Sequence, residues 1–344
     1  MFIDVAIHDS CDPRRREADL RAALAQRRLP GRLLYAGPAQ AERWLAYHRA
    51  WAPSRRDAAL RAAYRGAFAA ALAGLPAGPF HLVGLGCGDG SKEAELLEAA
   101  AEAGAGAERY TPLDGSLELL LEAAQAARAG RADLPVHPLA MDLAALADLP
   151  PWLAQREPRP QPRLFTAFGI LPNAQPEALA AALAGLLRPG DTLLLSANLS
   201  PGGYAADRER ILAQYDNPQA RHWYGGALEA LGLLPGDFAL EVRAVPLAAD
   251  GARWQVRVSA RLLRPVRLGA GALELGAGAV PLAQGERLEV FFSNRFTQGA
   301  VEDWLGAAGL GPARVWPHDA GEEAVFLCRR AAGAGPGAGY PPAR

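Results

Sequence analysis

The chain has 344 residues, 50% of them hydrophobic and 21% charged, which is enough apolar material for a substantial core and excludes disorder throughout. Its 36 basic and 37 acidic side chains leave a formal net charge of −1, which argues against a nucleic-acid groove or any other polyanionic partner. At this length two domains, or one domain carrying an insertion, are expected, because single cores stop growing near ~250–300 residues.

Residues 1–55 carry strand and helix signals of their own. The most legible stretch begins at Pro79: an apolar run over 79–86 predicts a strand, Gly86-Cys87-Gly88-Asp89-Gly90 a tight turn, and the spacing from Lys92 onward a helix. ERYTPLDGS then predicts a second strand and LELLLEAAQAARAG a second helix. A third strand is expected over 134–140, a fourth over 163–169, a helix over 176–187 and a fifth strand over 192–199. Regular alternation of this kind specifies a doubly wound α/β sheet.

After Ser200 the rhythm changes. Helices are expected over 207–215 and 223–231, then strands over 238–245, 253–263 and 289–293. In the second of these strands Trp254, Val256 and Val258 share one face and Arg253, Gln255 and Arg257 the other, the alternation of a half-buried antiparallel strand. A helix over 298–308 and two strands, 313–316 and 323–328, read as a closing hairpin returning to the main sheet. The expected organisation is therefore a cofactor domain of 56–200 plus 295–330, a substrate domain of 1–55 plus 201–294, and a disordered tail at 331–344.

Cys11, Cys87 and Cys328 are too widely spaced for a metal site and odd in number, so a reducing cytoplasm is expected. No leader peptide, membrane-spanning run or metal-binding histidine spacing is seen, so neither a membrane association nor a bound metal is expected. The composition itself is skewed. Lys92 is the only lysine among the 36 basic residues, and the asparagines are only Asn173, Asn198, Asn217 and Asn294.

The loop is GxGxG, neither the GxGxxG that sets a helix on a pyrophosphate nor a P-loop. Its glycines allow close backbone approach to a ligand. Asp114 follows the second strand, where a carboxylate can accept from two ribose hydroxyls, and Asp142 follows the third, where it can accept from an adenine amine. Contacts at the ends of the first three strands, Gly86, Gly88 and Gly90, then Asp114, then Asp142, describe the S-adenosylmethionine (SAM) pocket of a class I Rossmann-like methyltransferase. Cys87 is read as a small apolar filler of the turn.

With LVGLGCGDGSKE, YTPLDGSLELLLEA, LFTAFGILPNAQPE, LLRPGDTLLLSANLSP, QYDNP and GERLEVFFSNRF in view, residues from about Leu33 to Leu327 resemble the EgtD-like histidine N-alpha-methyltransferase family of ergothioneine biosynthesis. The resemblance implies an α/β methyltransferase sheet with a second, inserted α+β substrate-binding domain, SAM as cofactor with S-adenosylhomocysteine (SAH) as product, and methyl transfer to an α-amino nitrogen. It carries the family's cofactor-segment lysine onto Lys92 and its amino-acid clamp onto Asn173 and Tyr215, with Tyr35 facing the amine as the candidate proton relay. Trp51 falls where the family usually has a tyrosine. In the side-chain pocket Ser293 matches a serine and Val256 another lining position, but Phe291 replaces the glutamate that recognises the imidazole; a shifted register would bring Glu289 there instead. Gly84 stands where the family's first strand has an acidic residue. A small amino-acid-like substrate, histidine-type by family but more apolar or modified by this pocket, and a monomeric protein are the expectations. The alternatives are methylation of another small-molecule nitrogen and a non-catalytic SAM- or amino-acid-binding homologue.

Overall fold

The computed structural model describes residues 3–52, 57–157, 159–268 and 279–330, so the expected tail at 331–344 lies outside the described residues. The chain divides into two compact units, Met1–His8 with Asp57–Pro201 and Phe296–Arg344, and Asp9–Arg56 with Gly202–Arg295.

The first unit is built on an eight-stranded sheet. Its strands are β1 (Ala6–Ile7), β2 (Phe80–Leu85), β3 (Ala107–Asp114), β4 (Leu139–Ala140), β5 (Arg163–Ala167), β6 (Thr192–Asn198), β12 (Pro312–Pro317) and β13 (Glu323–Cys328), in the order β1-β4-β3-β2-β5-β6-β13-β12. β2 through β6 run parallel, and β13 inserts antiparallel beside β6 with Glu323 opposite Asn198 and Cys328 opposite Leu193. Every residue of β2, β5 and β13 is buried, which is why these strands read as continuous apolar runs rather than alternating ones. The chain leaves β2 towards β3 and β4 and then crosses back to β5, so the strand order reverses between β2 and β5. That is the switch point outside which ligands bind in open α/β sheets.

Two local results differ from the sequence reading. The third strand shrinks to Leu139–Ala140 with one further bridge from Val136 to Tyr110. Ala6 and Ile7 pair with Leu139 and Ala140 at the edge of this sheet, so the first strand of the chain sits in the first unit, where the sequence reading expects all of residues 1–55 in the other.

The second unit carries an antiparallel sheet of β7 (Phe238–Pro246), β8 (Arg253–Leu262) and β11 (Arg287–Phe296) in the order β11-β8-β7. Trp254, Val256 and Val258 are fully enclosed; on the other face Arg257 is exposed and Arg253 half-buried, but Gln255 is buried, its Nε2 donating to Asn294 Oδ1 at 2.7 Å. Their partners in the core are Leu20, Leu24 and Leu34 from the N-terminal segment and Ile211, Trp223, Tyr224 and Leu228 from the helices Gly203–Tyr215 and Pro218–Glu229. Both helices begin earlier than expected; Asn217 caps the second, and Pro218 fits its first turn without losing a hydrogen bond. A short hairpin, β9 (Val266–Leu268) with β10 (Val280–Leu282), has no counterpart in the sequence reading.

Candidate functional site

In the first unit β2 ends at Leu85, and the glycine loop turns the chain into the helix Ser91–Glu102. Gly86, Gly88 and Gly90 have φ of 63°, 55° and 69°, a left-handed conformation that side chains resist. Two of them also answer to the protein rather than to a ligand. A Cβ on Gly86 would lie 2.6 Å from Ile170 Cγ2, and one on Gly90 2.6 Å from Ala123 Cα. The Gly88 amide donates to Asp114 Oδ2 at 3.1 Å and the Ser116 amide to Asp114 Oδ1 at 2.9 Å, so the carboxylate at the end of β3 clasps the loop. Burial pushes this carboxyl up to about 6 against those amide bonds, and the nearby Asp142 adds to the rise. A desolvated carboxylate of this kind favours further donors, which is what a ribose diol offers. Asp142 lies at the N-cap of the turn Leu143–Asp148 and accepts from the Ala144 amide at 2.9 Å. The donors, acceptors and loop conformation at these strand ends fit a nucleoside, with Asp142 beyond β4, Asp114 at the end of β3 and the loop beyond β2.

Lys92 is half-buried, and its ammonium is engaged within the fold. Its Nζ donates to Tyr64 Oη at 2.7 Å, lies 3.8 Å from Glu323 Oε1 and sits 4.3 Å above the Tyr64 ring and 5.4 Å from the centroid of Phe168. Tyr64 in turn donates to Glu323. The lone lysine thus neutralises a buried glutamate on β13. Cys87 is buried, and burial pushes its thiol well above the ordinary range, consistent with a filler. Asn173 closes the short turn Leu171–Asn173 and is exposed. It does not cap the following helix Pro176–Leu186, whose cap position is Gln175.

In the second unit Tyr215 ends the helix Gly203–Tyr215. Its Oη is 2.8 Å from Ser293 Oγ and accepts from Arg295 Nη2 at 2.6 Å. Phe291, Ser293 and Arg295 are alternate residues of β11 and so share one face, which Tyr215 covers. Phe291 is 8% exposed, and its ring lies 6.0 Å from Tyr215, 5.4 Å from Trp223 and 5.5 Å from Tyr224. Glu289 shares that face, but its backbone is tied to Arg27 and Leu29. Tyr35 meets Trp44 and Trp223 edge-on or tilted, both at 5.6 Å. Trp223 Nε1 donates to the Leu34 carbonyl, which fixes this aromatic wall. Tyr215, Phe291 and Tyr35 therefore belong to one aromatic cluster, with Ser293 hydrogen-bonded to Tyr215, whereas Val256 is enclosed in the core and Trp51 lies at the end of the helix Pro38–Trp51. Arg295 and Tyr224 were missed in the sequence, where each reads as an ordinary strand or helix residue. Among the described residues no group of three or more His, Cys, Asp or Glu is placed to hold a metal, and no helix is long and apolar enough to cross a membrane.

The profile of a family described as "Histidine-specific methyltransferase, SAM-dependent" matches residues 16–330. A histidine N-alpha-methyltransferase of Mycobacterium tuberculosis (strain CDC 1551 / Oshkosh) is 28% identical over 257 residues, spanning 72% of this chain and 75% of its own. Among solved structures, the Burkholderia thailandensis 1,6-didemethyltoxoflavin-N1-methyltransferase with bound SAH is similar at 16% identity and a TM-score of 0.41, covering 96% of this chain and 93% of its own. The magnesium protoporphyrin IX methyltransferase of Synechocystis PCC 6803, also with SAH, shows 15% identity and a TM-score of 0.40, covering 86% and 96%.

Proposed function

Since the chain belongs to the histidine-specific, SAM-dependent methyltransferase family and its main sheet is of the class I Rossmann-like kind, we propose that it methylates the α-amino nitrogen of an amino acid with a side chain less polar than imidazole, or a modified one. The observation that carries this reading is Phe291. Its ring occupies a wall of Tyr215, Trp223 and Tyr224, where the resemblance calls for a carboxylate facing the imidazole. A buried imidazole N–H without an acceptor loses its hydrogen bond, whereas an apolar side chain loses nothing there.

SAM supplies the electrophilic methyl group; the protein contributes position, desolvation and management of one proton. An α-amino group titrates near ~8 in model peptides, so the nucleophilic neutral amine is available close to neutral pH with only a weak proton acceptor. Tyr35, or water bound to it, takes that role, and Asn173 orients the lone pair through its carboxamide. Tyr215 donates to the substrate α-carboxylate. It accepts from Arg295, which lends that corner positive charge, and with the Ser293 hydroxyl donating to it as well, its own O–H turns to the carboxylate. The substrate is a small molecule, and the protein acts as a cytoplasmic monomer.

Mass spectrometry of reactions with a panel of the twenty amino acids, scored for one, two or three added methyl groups, tests the reading. Aromatic or aliphatic acceptors are expected to outperform histidine. Efficient trimethylation of histidine alone would overturn the apolar pocket, and the absence of any product would leave a binding protein. The Phe291→Glu variant is expected to move the preference towards histidine by roughly tenfold or more, the scale set by one regained buried hydrogen bond to a charged group.

A further inference from the structure

Gly84 is the next-to-last residue of β2 and has ordinary extended backbone, so its lack of a side chain is not a matter of φ. Its space is taken. A Cβ there would lie 3.4 Å from Glu93 Cγ, 3.2 Å from Tyr110 Oη and 3.4 Å from Cys87 Cβ. Glu93, in the first turn of the helix after the glycine loop, folds back across Gly84 and is 2% exposed. Thr166 Oγ1 donates to its Oε1 at 2.7 Å, and Thr166 is the strand partner of Gly84 on β5. The carboxyl therefore bridges β2 and β5 at the point where strand order reverses, immediately behind the glycine loop.

The carboxylates at the strand ends form a row: Asp142 after β4, Asp114 at the end of β3, Glu93 at β2 and β5. With adenine at the first and ribose at the second, the amino-acid end of the cofactor falls at the third. We propose that Glu93 is the positioning carboxylate for the cofactor's α-ammonium end, delivered from the helix into the space that Gly84 leaves empty. This rests on the ribose placement at Asp114. The pair is reciprocal: a strand carboxylate at 84 and a helix carboxylate at 93 would compete for one buried volume.

The test is calorimetry with two ligands, SAH and 5′-methylthioadenosine, which lacks the amino-acid end. Glu93→Gln is expected to weaken SAH about tenfold, the size of one charge-assisted hydrogen bond, and to leave methylthioadenosine unchanged. Asp114→Ala is expected to weaken both. Gly84→Asp added to Glu93→Ala is expected to recover most of the lost SAH affinity, whereas Gly84→Asp alone lowers the melting temperature because two carboxyls then share the space. Equal losses of both ligands in Glu93→Gln, or no recovery in a double variant that circular dichroism shows to be folded, would overturn the proposal while leaving the ribose placement intact. Unchanged binding of both ligands in Asp114→Ala would overturn that placement and the proposal together.

Discussion

Glu93 and Asp114 are carboxyls whose burial outweighs their hydrogen bonds, and it pushes them up to about 7 and about 6. The groups facing Glu93 are Thr166 from β5, Tyr110 from β3, Tyr64 from the helix Ala58–Ala73, Cys87 from the loop, and Asp89 and Lys92 beside it; Thr166 and Lys92 favour its charge and Asp89 opposes it. Both values lie above those of the unfolded chain, so the stability each group contributes is full at acid pH and is lost as pH rises through about 6 and about 7. The ligand-free protein is expected to melt at progressively lower temperature from about pH 4 to about pH 7, and Glu93→Gln to flatten the upper part of that decline, as thermal scans across a pH series will show. Ligand affinity runs the other way, since both carboxyls must be ionised to accept from donors on the cofactor. None of this was legible in the sequence, where Glu93 is one more acid in an alanine-rich helix. The signal present was a glycine inside an otherwise bulky buried strand, which means that something else fills the gap.

Asn217 works at the scale of the element. Its Oδ1 accepts from the Ala220 amide at 2.9 Å, capping the helix Pro218–Glu229, while its Nδ2 donates to the Gln214 carbonyl at 2.8 Å at the end of the helix Gly203–Tyr215. One side chain thus closes one helix and opens the next, and the residue it fixes in place is Tyr215. Asn217→Ala is expected to cost about 1 kcal/mol of stability, the usual worth of an N-cap, and to raise the acceptor KM more than it changes kcat. Thermal unfolding and steady-state kinetics check the two parts. The helices were readable from their apolar spacing, but their first turns were not, because Gly203 and Pro218 look like breakers until the caps are seen. β9 and β10 escaped for a related reason: three-residue strands beside a glycine-rich stretch carry too few residues for any period to show.

For the whole molecule, the ends of the sheet divide the labour. Opposite the glycine loop, Glu157 accepts two bonds from Arg163, at 2.7 and 2.6 Å, and lies 2.8 Å from His81 Nδ1. Asp191 accepts from the Arg163 amide, which ties the entrances of β5 and β6. Burial opposes the charge on Glu157, but His81 and Arg163 overcome it and hold the carboxyl down at about 2. Its contribution is present above about pH 4 and is lost as pH falls towards 2. Glu157→Ala strands the enclosed Arg163 and is expected to destabilise the fold by about 3–5 kcal/mol, measurable by denaturant titration. The alternation of strand and helix made this sheet and its closing hairpin readable from the sequence, because parallel strands buried on both faces leave long apolar runs. The polar lock beneath it was not readable, since its members are 110 residues apart from His81 to Asp191. The lone lysine has a practical outcome. Apart from the α-amino group, Lys92 is the single target in the sequence for amine-reactive reagents, and in the native fold its ammonium is engaged by Tyr64 and Glu323. An acylating dye therefore reads out opening of the first unit at one known atom: slow labelling reports the closed native fold, and a burst of labelling reports its unfolding.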